Sequence, residues 1–530
     1  MASPAPAPAP SPYARTVYVD TNAVAATDAG GGSAARPYKT ISAAMRSLQG
    51  GDDVLIASGI YREGVTVPVL PTGAASIRIR AQTARTVLIK GSVEVTNWNP
   101  VGGGVYWVNW AGEEPQQVFL DGKSLKQIGG NVFGGYPGVP GNSLALAHAS
   151  EGGIWPGRVA GGLGELVTGS FTYDGSSRRL YVKAAAPITP SQPLEVSAVR
   201  HPLIAENAQG LTVEGLNFAH SNTSVAYRWG AVKVSGSRNI LQNIAVSDMD
   251  GICVQLFGSD SAVINSKIER CGQIGISGHG TRMSITDNQV TYANTRGFNK
   301  WWEAGGMKLI GDGGLHSSII RNNLVAFNEG DGIWIDWKNS SNTISNNTTA
   351  YNAGFGIQYE ASQSAVIRAN VSYGNSLRGI YLLEASGCVI DGNSVFGNAM
   401  EGIGVVDGTR SAGDPSLSPK NNQVTGNSVA WNDYNRNWVQ LVLPGAGFGS
   451  VSDRNSFKSE GLGPRTSMGF VSPSNAAYTT LAAWTSATAQ DASSVEQIMP
   501  MPSNLKAAIA ARRLLELAEL PSFLRIPGTY

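Results

Sequence analysis

Gly332-Ile333-Trp334-Ile335-Asp336 is followed 24 residues later by Gly356-Ile357-Gln358-Tyr359-Glu360, and each acid stands four residues after its glycine. Side chains alternate along a strand. Ile333, Ile335, Ile357 and Tyr359 are therefore expected to face a core, and Trp334, Asp336, Gln358 and Glu360 to face away from it. Glycine-anchored phrases recur at Gly230, Gly251, Gly275, Gly306, Gly379 and Gly402. Between them runs an asparagine pattern. Asn288, Asn323, Asn347, Asn370, Asn393 and Asn427 each precede an aromatic by three or four residues, and a second asparagine follows at Asn294, Asn328, Asn352, Asn375, Asn398 and Asn432. The commonest spacing is 23 or 24 residues, and longer gaps mark loop insertions. Short apolar pairs such as Ile319-Ile320 and Val366-Ile367 punctuated by Gly and Asn are short strands. Leucine is sparse and no helix fits within a repeat, so a leucine-rich solenoid fits less well than a parallel β-helix, with strands stacked coil on coil. Asparagines stacked at the turns would satisfy one another's amides.

Stacking puts Asp336 and Glu360 one strand spacing apart, about 4.7–4.9 Å. A retaining glycosidase holds its two carboxyl groups about 5–5.5 Å apart. Trp334, Trp337, Gln358 and Tyr381 flank the pair and are suited to stack on and hydrogen-bond a sugar. Lys308 lies one coil earlier on the Trp334 column, placed to orient Asp336 or to bind a substrate hydroxyl or acid. Trp301, Trp302 and Glu303 occupy the long gap between Gly275 and Gly306 and read as a loop walling the site, with Glu303 a third candidate carboxylate. His279 falls on the Asp336 column two coils earlier. Asp312, Asp331 and Asp407 read as turn residues.

The rest of the chain reads differently. Residues 1–12 alternate Ala and Pro as a spacer, with no signal peptide visible. Residues 13–97 form an N-terminal cap with a helix near Ile41–Leu48, followed by the first coils. Residues 98–200 break the repeat with hairpin-like runs such as Val105–Val108 and Arg179–Val182, an inserted antiparallel, β-sandwich-like module. The solenoid proper spans 201–450. Residues 451–530 form a C-terminal cap in which Leu505–Leu520, with helical apolar spacing, is expected to cover the far end.

The chain has 530 residues, 15 % of them charged, and a net charge of +1. That balance argues against nucleic acid as a partner, and no apolar run is long enough to span a membrane. Three cysteines, Cys253, Cys271 and Cys388, match no zinc spacing and are expected to be buried, inert thiols. No phosphate loop or Ser-His-Asp set is present.

The opening, Tyr18-Val19-Asp20 through Gly59-Ile60-Tyr61-Arg62-Glu63, resembles that of right-handed β-helix proteins active on carbohydrates. Asp331-Gly332-Ile333-Trp334-Ile335-Asp336-Trp337 with Tyr359-Glu360 resembles the paired motif of glycoside hydrolase family 120, the β-helical β-xylosidases. The resemblance implies that Asp336 is the nucleophile and Glu360 the acid/base, that the β-helix is right-handed, and that a β-sandwich is inserted near its start. Ala361-Ser362-Gln363 stands where that family has a His-containing stretch. The function expected is thus a retaining glycoside hydrolase acting on a poly- or oligosaccharide, releasing terminal sugars or short units, secreted or periplasmic, with no cofactor required. A structural calcium is compatible with it, and oligomeric state stays open. Two other readings stand beside it: a lyase on a uronate-containing glycan, with Lys308 as base and calcium at Asp248 and Asp250, and a non-catalytic glycan-binding β-helix.

Overall fold

The structure is a computed structural model that describes residues 13–130, 161–189, 191–223, 229–311, 313–408, 410–433, 439–460, 469–472 and 476–525. The spacer at 1–12, Asp312 and the middle of the inserted module lie outside the described residues.

Three long sheets of parallel strands run the length of the chain, and each coil contributes one short strand to each sheet. One coil reads Thr343–Ser345, Thr348–Ala350, Ile357–Glu360, and the next reads Val366–Arg368, Val371–Tyr373, Ile380–Leu383. Each strand pairs in parallel with its equivalent one coil on. This is the right-handed parallel β-helix. Ile333, Ile335, Ile357, Tyr359, Ile380 and Leu382 are all fully buried in a single interior stack, each such side chain contributing on the order of 1.5–3 kcal/mol.

Two asparagine ladders hold the corners. From Asn288 through Asn323, Asn347, Asn370, Asn393 and Asn427 to Asn455, each side-chain amide donates to the next side-chain oxygen at 2.9–3.0 Å. A second ladder runs from Asn328 through Asn352, Asn375 and Asn398 to Asn432. Asn294 stands outside it, because its amide turns to the Phe298 and Glu329 carbonyls where the chain departs into a loop. The glycine column follows from the second ladder: a Cβ on Gly332 would meet the Gly356 carbonyl at 2.5 Å and the Asn352 amide at 2.8 Å.

The first turn of the capping helix, Ile41–Arg46, is closed by Thr40 and by the Glu63 carboxylate, which accepts from the Ile41 and Ser42 amides at 2.9 and 2.8 Å. Strands from Ser92 to Ser197 form two mainly antiparallel sheets around their own core of Trp98, Trp110, Val118, Phe171, Leu180 and Val196.

The C-terminal expectation needs correcting. The far end is closed by the helix Leu481–Thr488, whose Trp484 is fully buried in the main core. The segment read as a cap forms a shorter helix, Ser503–Ala510, lying along the flank. There it covers the outward aromatic column Tyr351, Tyr373 and Phe396, and the Tyr351 hydroxyl donates to the Arg513 carbonyl at 2.6 Å. Apolar spacing marks a buried face but not the surface that buries it. The cysteine expectation also fails in part. Cys388 is a buried free thiol, but Cys253 and Cys271, 18 residues apart in sequence and 5.5 Å apart at Cα, form a disulfide.

Candidate functional site

The strands Gly305–Leu309, Asp331–Asp336, Ile357–Glu360 and Ile380–Leu383 lie side by side in one sheet. Their register pairs Lys308 with Trp334, Trp334 with Gln358, and Gln358 with Tyr381. It also pairs Asp336 with Glu360. The two acids are thus on the same face of adjacent strands, about 4.7–4.9 Å apart at the backbone.

This outward face is not open to water. Lys308, Trp334, Gln358, Glu360 and Tyr381 are all buried, and Asp336 is 9 % exposed. Burial makes each charge depend on its neighbours. Lys308 sits 3.4 Å from Asp336 Oδ2, lies 3.2 Å from the centroid of the Trp334 ring, and donates to the Trp302 carbonyl. Asp336 Oδ1 is buried with no hydrogen-bond partner among the described residues, which leaves one carboxylate oxygen uncommitted.

Glu360 is held differently. Its Oε2 accepts from Trp334 Nε1 at 2.9 Å and from Gln358 Nε2 at 2.6 Å, and its Oε1 pairs with Arg410 at 2.5 Å. Burial and the like charge of Asp336 raise its pKa, while Arg410 and Lys308 oppose the rise. Arg410 was not read from the sequence. It also engages Glu384, one coil beyond Glu360 and 1 % exposed, through its guanidinium and through its backbone N–H at 2.7 Å. The only sign of it was the 34-residue gap between Asn393 and Asn427, which announces an inserted loop without saying what the loop carries.

Asp331 was read as a turn residue. Instead it begins its strand, is buried, and accepts from the Phe355 amide at 2.7 Å. Burial lifts its carboxyl to about 7 against the pull of that amide and of Lys308. Tyr381 is packed against Phe355, with ring centroids 4.6 Å apart, under the Arg378 guanidinium. Burial pushes its hydroxyl to about 12.

The loop before Gly305 brings the Trp302 carbonyl onto Lys308; Glu303 is buried, while Trp301 is 48 % exposed. Trp337 is 39 % exposed and edges a neighbouring cavity of about 230 Å³ with Lys338, Gln363 and Leu417. His279 packs on the Phe257 ring two coils from Asp336, roughly 10 Å by strand spacing. Asp248 and Asp250 serve separate partners: Asp248 pairs with Arg270, and Asp250 accepts from the Ser221 hydroxyl and the Thr223 amide.

A family model described as the right handed beta helix region matches residues 300–455. The complex structure of XylC with xylose is similar over 92 % of this chain and 87 % of that one, at 14 % identity and TM-score 0.64. A structure described as a glycoside hydrolase is similar over 95 % and 99 %, at 11 % identity and TM-score 0.50. The A-module of mannuronan C-5 epimerase AlgE4 from Azotobacter vinelandii follows, over 90 % and 100 %, at 12 % identity and TM-score 0.48. The family match and the first two of these likenesses support the fold. No curated protein matches the sequence, and among the described residues no helix is long and apolar enough to cross a membrane.

Proposed function

We propose that the protein is a retaining glycoside hydrolase acting on an oligo- or polysaccharide and releasing terminal sugars or short units. The observation that carries the reading is the in-register pair Asp336 and Glu360, whose strand spacing approaches the separation a double displacement needs. Asp336, with one uncommitted oxygen, attacks the anomeric carbon and forms a glycosyl ester. The glycosidic bond breaks, and its oxygen takes the Glu360 proton. Glu360, now ionised, accepts a proton from water, which adds to the anomeric carbon and returns Asp336 as the carboxylate. Lys308 sets its side-chain nitrogen 3.4 Å from Asp336 Oδ2 and so helps to hold the nucleophile in place. Glu384 lets Arg410 remain paired when Glu360 carries its proton.

The neighbour in complex with xylose makes aryl β-xylosides the first substrates to try. A lyase using Lys308 as base is less well supported, because its side-chain nitrogen is already committed to a carboxylate, a carbonyl and an indole face. Export fits the disulfide, since such bonds persist in oxidising compartments. The test is proton NMR of the first product formed. Retention of anomeric configuration is expected, and inversion overturns the nucleophile assignment.

A further inference from the structure

A second cavity, of about 530 Å³, opens between the inserted module and the solenoid, within the range of small-ligand sites. Neither Asp336 nor Glu360 lines it. Its solenoid wall comes from Asp248, Arg270 and Thr295–Arg296, in turns preceding the strands Ile252–Ser259, Ile274–Thr281 and Gly305–Leu309. Those strands belong to the coils before the Asp331–Asp336 strand. The catalytic pair closes its own strands at their last residues, so the cavity sits at the opposite edge of the same sheet.

The charges in the cavity are unequal. Lys126, Arg270 and Arg296 line it against the single carboxylate of Asp248. Arg270 already engages that carboxylate at 2.8 and 2.9 Å. Arg296 forms no ion pair among the described residues. Its guanidinium instead donates to two amide oxygens of the inserted module, Gln116 at 3.2 Å and Gln127 at 2.5 Å. Burial pulls its pKa down, and Asp250 and Glu114 act on it only at a distance. With its oxygen committed to Arg296, Gln127 keeps its amide N–H groups as donors. Phe119 and Phe298 supply apolar wall.

A planar guanidinium held in place by two amides, a nearby lysine, spare amide donors and aromatic surface together suit a carboxylate on a hydroxylated ring. We propose that this cavity is a second binding site, for a uronic-acid unit of a glycan. The site needs no hydrolytic activity at Asp336 and Glu360, and it stands or falls separately from that reading. It joins two parts of the chain, because the turn bearing Arg296 continues into Trp301 and Trp302 beside Lys308.

The test is calorimetry on the full chain carrying Glu360→Gln, to exclude turnover. The probes are a glucuronic-acid-substituted xylo-oligosaccharide and the same compound with its carboxyl reduced to the alcohol. The acidic compound should bind at least about tenfold more tightly. Arg296→Gln should abolish that preference, and the exposed Lys126→Gln should weaken it several-fold, both with unchanged melting temperature. Equal binding of the two probes overturns the proposal, as does a preference that survives in both variants. Inorganic sulfate displacing the acidic probe at equal concentration also overturns it, since the cavity would then hold anions without reading a sugar. A fall in melting temperature for Arg296→Gln moves the decision to Lys126→Gln, where an unchanged preference is the overturning result.

Discussion

Replacing Arg410 by Gln tests the assignment of roles most sharply. The guanidinium lies 2.5 Å from Glu360 Oε1 and favours the ionised carboxylate. A hydrogen bond to a charged group is worth about 1.5–3 kcal/mol. The Arg410 side chain is 37 % exposed, and solvent screening brings that to about 1–1.5 kcal/mol. One pKa unit corresponds to 1.36 kcal/mol, so the Glu360 pKa should rise by about one unit. A general acid must be protonated to act, and a higher pKa keeps it protonated to higher pH. The alkaline limb of the kcat/KM profile on an aryl glycoside with a poor leaving group should therefore move up by about one pH unit. The acid limb, which requires an ionised nucleophile, should stay. Arg410→Lys, which keeps the charge, should fall between. An alkaline limb that stays or moves down refutes the argument. An acid limb that moves up instead identifies Glu360 as the nucleophile.

Glu360→Ala should retain activity on aryl glycosides with good leaving groups and lose at least 10²-fold on poor ones, whereas Asp336→Asn should lose nearly all turnover on both; equal, mild losses count against the roles. Asp331→Asn removes a carboxyl whose pKa is raised from 3.8 to about 7 in the fold. Folding prefers its protonated form, so wild-type stability relative to the variant should fall as pH climbs from about 4 to 7 and level off above; denaturant midpoints across that range check it, and a flat difference contradicts it. Asn347→Ala strips the amide that donates to the Ile320 carbonyl and to Asn370, and it leaves the Asn323 backbone N–H and one of its side-chain N–H groups without their acceptor; on the order of 3 kcal/mol should be lost in chemical denaturation, and a loss below about 0.5 kcal/mol would show that the ladder is replaceable.

The solenoid was legible because its period is written in residues with fixed duties. Asparagine recurs where a corner needs an amide to close it, and glycine where the Asn ladder leaves no room for a Cβ. The catalytic candidates followed from that same period, since two positions equivalent in successive coils must share a face. What escaped lay outside the repeat. Arg410 sits in an insertion, with no spacing to tie it to Glu360 50 residues earlier. The burial of the polar face comes from irregular loops that carry no periodic signal. The Cys253–Cys271 bond needs to know which coils adjoin, and three cysteines leave the pairing open. Asp331 looked like a turn because Asp before Gly usually is one, yet the strand starts a residue sooner than that habit suggests.

The pairing of Asp336 with Glu360 has a consequence for how such a site changes. Along this stack the gap between acids cannot drift: it comes in whole steps of one strand, about 4.8 Å each. Duplicating one complete turn of 23 or 24 residues between them would open the gap to about 9.6 Å, the upper edge of the range in which a water fits between the carboxyls and configuration is inverted. For the proposed double displacement, stereochemical outcome would thus be counted in units of chain length, and a splice that leaves every side chain untouched would reverse it.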